Sequence, residues 1–211
     1  MTDGGRRGAL VALEGIDGAG KSSLQRRLAR RLRQRGWRVA LWREPVSASL
    51  GRRAQRLGPA DPLGSAIGFT IDRMLGRAEL ERRLRRHDLV LSDRSYFSTL
   101  AYQGSALPTA ARRSLESLQR SVTVVPNRVL LLDLPPVVSL DRVARRGRRR
   151  APLERRRTLV RVATRYRALA RSPRWSTLDA TLPAEEIARQ AERLLDPWLR
   201  RRAAAAQRRG G

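Results

Sequence analysis

Ala9-Leu10-Val11-Ala12-Leu13-Glu14-Gly15-Ile16-Asp17-Gly18-Ala19-Gly20-Lys21-Ser22-Ser23 is the stretch on which the reading of this chain turns. Residues 9–14 are a short apolar run of strand length. Gly15-x4-Gly20-Lys21-Ser22 then completes a phosphate-binding loop, and Leu24, Leu28 and Leu32 recur at helical spacing before Gly36. Strand, glycine loop and helix together are the context that gives the pattern its meaning. Glycines let backbone N–H groups converge on phosphate oxygens, and the helix N-terminus adds its partial positive charge. Gly15, Ile16, Asp17, Gly18, Ala19, Gly20, Lys21, Ser22 and Ser23 are therefore expected to bind a nucleoside triphosphate. Lys21 would reach the terminal phosphates, and Ser22 would ligate Mg²⁺.

The composition around this loop singles out one residue. Of 46 basic residues in 211, only Lys21 is lysine, and against 19 acids they leave a net charge of +27. In a chain that has drifted almost wholly to arginine, lysine survives where a compact, rotatable ammonium is needed and a planar guanidinium is no substitute. There are no cysteines, which excludes disulfides, thiolate metal sites and a cysteine nucleophile, and a single histidine, His87, excludes His-rich metal sites. No apolar run approaches membrane-spanning length, and Ala9 to Leu13 meets Glu14 too soon for a signal peptide. A cytoplasmic enzyme without membrane contact is expected.

Working outward, strands are expected at Trp37–Trp42, Asp88–Ser92, Arg128–Leu132 and Trp175–Leu178, with helices between them. Residues 44–62 read as mostly loop with a short helix, 63–86 as a long helix, and 184–201 as a terminal helix. Alternating strands and helices argue for an α/β P-loop fold: a five-stranded parallel sheet flanked by helices, with a small arginine-rich lid. One domain is expected over 8–201, with the lid at about 145–157 and disordered ends at 1–7 and 202–211.

Six further elements, in order, resemble thymidylate kinases of the nucleoside monophosphate kinase group from residue 9 to about 199. They begin with the acid Asp17 inside the phosphate loop. Arg43-Glu44-Pro45 follows, then Phe69-x3-Arg73, Asp93-Arg94, Ser98-Thr99-Leu100-Ala101-Tyr102-Gln103-Gly104, and Leu140-Asp141-Arg142 leading into the lid. The resemblance implies transfer of the ATP γ-phosphoryl to dTMP, giving dTDP and ADP, with Mg²⁺. It implies a sheet in the order 2-3-1-4-5. It also implies that Asp17, Arg43, Glu44, Phe69, Arg73, Arg94, Ser98, Thr99, Tyr102 and Gln103 bind the acceptor, with Phe69 and Arg73 on the base and Asp17 with Tyr102 on the deoxyribose. Ser22 and Asp93 would hold the metal, and Arg94 the acceptor phosphate. A homodimer is implied by the same resemblance.

The chain also departs from the family. Val46-Ser47-Ala48 stands where Gly-Gly-Thr is usual, Ser95 follows Asp93-Arg94 where Tyr or His is usual, and Gln55 falls near a usual basic position. Ser95 leans toward deoxynucleoside kinases, so a deoxynucleoside kinase or another monophosphate kinase is the alternative. Gly18 leaves no arginine in the phosphate loop. The resemblance then assigns the catalytic arginine to the run Arg145, Arg146, Arg148, Arg149, Arg150, beside Lys21 and Arg94. A P-loop protein that binds a polynucleotide is a further reading of the charge. Nine aromatics and basic residues scattered along the whole chain favour nonspecific nucleic-acid adsorption instead.

Overall fold

A computed structural model describes residues 8–145 and 153–208. Residues 1–7, expected to be disordered, and Arg146 to Arg150 of the lid lie outside the described residues. Five strands, β1 (Ala9–Glu14), β2 (Val39–Arg43), β3 (Leu89–Asp93), β4 (Arg128–Asp133) and β5 (Trp175–Asp179), form one sheet in the order β2-β3-β1-β4-β5. Every pairing is parallel, with Ala9 opposite Leu89, Val11 opposite Arg128, Val39 opposite Leu89 and Val129 opposite Trp175. All six residues of β1 are buried, as an apolar run covered on both faces requires.

The helices are α1 (Lys21–Gln34), α2 (Ala48–Leu57), α3 (Pro62–Arg86), α4 (Tyr96–Tyr102), α5 (Thr109–Val122), α6 (Pro136–Ala144), α7 (Leu153–Leu169) and α8 (Ala184–Gln207). Leu24, Leu28 and Leu32 bury the apolar face of α1, which packs on α8. Leu80 and Leu84 of α3 close a second apolar cluster with Leu10, Ala40, Trp42 and Val90 of the sheet. The chain winds through β2 and β3 to one side of β1 and through β4 and β5 to the other. The carboxyl ends of β1, β3 and β4 therefore open a crevice, the usual place for a ligand in such a sheet.

Three boundaries differ from the sequence expectation. β2 starts at Val39, because the Trp37 N–H closes back on the Leu32 carbonyl and its indole donates to Asp196 of α8 at 2.8 Å. The lid's expected end at 157 is already helical, since α7 begins at Leu153. The tail expected to be disordered from 202 continues α8 to Gln207, through Ala203 to Ala206, the residue type with the highest helix propensity.

Candidate active site

The phosphate loop leaves β1 at Gly15, whose φ of 142° is open to glycine alone. A Cβ there would stand 2.6 Å from the Leu132 carbonyl of β4. Gly18, at φ 82°, faces the Ser139 backbone of α6 less closely, a Cβ falling 3.1 Å from its carbonyl. Ser139 in turn donates its hydroxyl to the Asp17 carbonyl. The loop is thus pressed between β1, β4 and α6, and an arginine at Gly18 would crowd α6 and take a strained left-handed backbone.

Lys21 lies inside this loop, 6 % exposed, and donates to the Gly15 carbonyl at 2.8 Å and the Ile16 carbonyl at 3.0 Å. Burial, helped by the charge of Arg94, lowers its pKa to about 8. Ser22 donates to an Asp93 carboxylate oxygen from the end of β3, so the two expected metal ligands touch. Among the described residues no cluster of three or more His, Cys, Asp or Glu could hold a metal.

Beside the loop two cavities open. One, of about 360 Å³, is lined by Gly18 to Gly20, Ser23, Leu24, Leu132, Arg142, Arg145, Leu182, Ala184 and Ile187. Arg142 donates to the Ala180 carbonyl at 3.0 Å, fixing the end of α6 against the β5–α8 turn. Arg145, the one described member of the lid run, is therefore at the wall of this cavity. Arg142 was singled out only as part of the element leading into the lid, and Leu182 and Ala184 were not expected from the sequence.

The second cavity, of about 390 Å³, holds every expected acceptor residue except Arg43, which points to solvent at the end of β2. Its lining adds Pro45, Gln55, Gly58, Pro59, Pro62, Ala106, Thr158 and Arg161. Arg94 joins the two halves. Its guanidinium donates to Asp17 Oδ1 at 2.5 Å and Ser98 Oγ at 3.0 Å, and stacks 5.3 Å from the Tyr102 ring. Its backbone is left-handed, φ 79°, held by the Ser92 hydroxyl on its carbonyl and the Leu13 carbonyl on its N–H. A strained backbone of this kind clusters at functional sites, where the surroundings over-determine it. Although burial opposes it, Tyr102, Asp17, Tyr166 and Glu14 hold Arg94 well above its usual pKa, so it is always a cation. Burial pushes the Tyr102 phenol up to about 12, so it stays protonated, while its oxygen accepts the Asp17 N–H at 3.2 Å.

Of the departures from the family, Gln55 lines this cavity, whereas Ser95 and Val46-Ser47-Ala48 are absent from its lining. Ser95 turns inward, donating to Glu14 at 2.7 Å and capping α4. Glu14, fully buried, also accepts from Ser98 at 2.6 Å and Tyr166 at 2.9 Å. Val46 is exposed, and the Val46 and Ser47 N–H groups bind the buried Asp72 carboxylate at 2.6 and 2.7 Å. Ser47 then caps α2. Glu44 and Arg73 line the cavity and also pair with each other at 2.5 Å. Burial raises the Glu44 pKa against the pull of that arginine.

A sequence model of the thymidylate kinase family matches residues 13–191. The chain is 37 % identical to the probable thymidylate kinase of Metallosphaera sedula, covering 84 % of this chain and 87 % of that one. It is 38 % identical to the thymidylate kinase of Deinococcus radiodurans, covering 86 % and 93 %. To the probable thymidylate kinase of Archaeoglobus fulgidus it is 30 % identical, covering 90 % and 96 %. The chain belongs to the thymidylate kinase family and is a phosphotransferase.

Proposed function

From that membership we infer that the chain transfers the γ-phosphoryl of ATP to dTMP, giving dTDP and ADP, with donor and acceptor meeting between the two cavities. The observation that carries the reading is Arg94. It reaches from the end of β3 to the phosphate-loop acid Asp17 and to Ser98 and Tyr102 of the acceptor wall.

ATP lies along Gly15 to Ser23, its base in the cavity walled by Leu182 and Ala184. Lys21 trades its two loop carbonyls for phosphate oxygens. dTMP enters the acceptor cavity, Phe69 and Arg73 on the base, Asp17 and Tyr102 on the deoxyribose. Thr99 and Gln103 complete that wall. Arg94 takes the acceptor phosphate, and Arg161 of α7 adds a third cation, beside Arg73 and Arg94, to the same cavity. This chemistry asks for positioning and charge compensation more than for a general base, and the set supplies both. Ser22 and Asp93, a hydroxyl and a carboxylate in contact, fit a hard cation that keeps most of its ligands as water and phosphate. Mg²⁺ held there supplies neutralisation of the β- and γ-phosphates. The catalytic arginine comes from the run 145–150.

The homodimer rests on α3. Leu63, Ile67, Ile71, Met74 and Leu75 are exposed along it, while Asp72 and Arg73 between them are buried. This leaves an uncharged apolar face on a chain of net charge +27, suited to a second copy of itself.

Steady-state rates across dTMP, dUMP, dCMP, dGMP and thymidine test the acceptor. dTMP is expected to give the highest kcat/KM. Equal or better rates with thymidine would move the chain to a nucleoside kinase, an outcome Ser95 does not favour because it faces Glu14.

A further inference from the structure

Gln119 on α5 is fully buried and was not singled out by any motif. Its side chain stands at the end of a relay with a defined direction. The Thr70 hydroxyl donates to the Ala66 carbonyl at 2.7 Å, so toward Gln119 its oxygen can only accept. It accepts from Gln119 Nε2 at 2.5 Å, which turns the amide oxygen the other way. That oxygen receives an N–H from the NH1 nitrogen of Arg73 at 3.2 Å. The remaining groups of Arg73 are held as firmly. Nε–H goes to Glu44, and NH2 goes to Thr99 Oγ1 at 2.8 Å and toward the Ser95 carbonyl at 3.5 Å. The second NH1 hydrogen has no protein acceptor among the described residues, and Arg73 lines the acceptor cavity.

We propose that Gln119 is the positioning residue for base selection: through the one-way relay Ala66–Thr70–Gln119 it turns an amide oxygen to Arg73 and so holds that donor-only guanidinium with its remaining NH1 hydrogen offered to the pyrimidine edge. A keto oxygen can accept that hydrogen. The amino group of cytosine, itself a donor, cannot, and a site built on one obligatory hydrogen bond discriminates strongly against a ligand that lacks the complement. The proposal rests on the reading of this cavity as the acceptor site, and it adds to that reading the element that orients the arginine.

The test uses the full chain with Gln119→Met, Gln119→Glu and Thr70→Val. Methionine keeps length and removes both polar groups. Glutamate keeps an acceptor for Arg73, and the Thr70 hydroxyl can rotate to donate to it. Gln119→Met is expected to raise the dTMP KM about tenfold, the scale of a hydrogen bond to a charged group. Its kcat should stay within roughly threefold, as for an interaction made equally in ground and transition states. The KM for ATP should not move, and the preference for dTMP over dCMP should fall by about the same factor as the dTMP affinity. Gln119→Glu should restore most of the preference, and Thr70→Val should lose an intermediate share. A merely structural Gln119 would lower thermal stability in all three without changing the dTMP-to-dCMP ratio, and that result overturns the proposal. If Gln119→Met fails to fold, Thr70→Val alone decides by the same ratio. Wild-type protein that bound neither dTMP nor thymidine by calorimetry would instead strike the acceptor assignment itself.

Discussion

At the donor end of the cleft one loop, Gly15 to Ser23, supplies the glycines, the lysine and the start of α1. The acceptor end draws its lining from six separate segments between Asp17 and Arg161. The donor end works mainly with backbone N–H groups, whose direction follows from φ and ψ. The acceptor end works with side chains that hold one another: Glu44 on Arg73, Gln119 on Arg73, Asp17 on Arg94. A recognition site made of backbone depends on few side chains beyond its glycines, here Lys21 and Ser22. A site made of mutually held side chains fails by pieces, each loss shifting a partner.

The sharpest way to break this contrast is at Lys21. Lys21→Ala is expected to lower kcat/KM by about 10⁴-fold or more, since no other group in the loop can place a charge on the terminal phosphates. Calorimetry should show dTMP still binding, because the acceptor cavity does not include this residue. Any comparable loss of dTMP affinity would show that the two ends are not separately built.

Next comes the lid. Changing Arg145, Arg146, Arg148, Arg149 and Arg150 together to alanine is expected to lower kcat about 10²- to 10⁴-fold with the dTMP KM nearly unchanged, the mark of a transition-state contact. If more than roughly half of kcat survived, the catalytic arginine would lie elsewhere. Arg161 would then come before Arg43, because it lines the cavity and Arg43 faces solvent.

A smaller effect should appear at the acceptor end alone. Glu44→Ala leaves Arg73 buried without its carboxylate. Breaking a buried pair in this way costs about 3 kcal/mol or more, which urea melts can read, and it should raise the dTMP KM while sparing the ATP KM. Glu44→Gln, which keeps an acceptor for the arginine Nε–H, should recover part of both.

The smallest effect is one of pH. The free-protein pKa of Lys21 is about 8, below its ordinary value because of burial, and bound triphosphate must raise it. ATP binding therefore takes up a proton above pH 8, and ATP affinity falls as pH rises through that value. From pH 7 to pH 9 the loss should approach about tenfold, as expected when the competent form drops to roughly a tenth. Parallel titrations with dTMP should stay flat over the same range, since Arg94 and Tyr102 do not titrate there.

Much of the donor end could be read from the chain as a string of letters. Gly15, Gly20, Lys21 and Ser22 stand in one continuous run, and a backbone cradle needs only local φ, ψ freedom followed by a helix start. The five strands and their parallel arrangement were legible for a similar reason: largely apolar runs of strand length alternate with helical periods, and that alternation argues for a parallel sheet covered by helices. The ends of elements were less legible. Trp37 looks like strand until its indole is seen bound to Asp196, 159 residues away, and α8 outlasts its apolar period because alanines carry it on.

At the acceptor end the letters pointed to positions, and packing decided what they touch. Ser95 reads as a change in the acceptor site, yet its hydroxyl is on Glu14. Val46-Ser47 reads as a lost glycine turn, yet its N–H groups are held by Asp72. Arg161 is one arginine among many with no local mark, and only the placement of α7 brings it to the cavity. Gln119 carries no motif at all. Its part depends on the direction of hydrogen bonds through Thr70 and Arg73, residues 49 and 46 positions away, and such direction arises only when helices from distant parts of the chain are packed into contact.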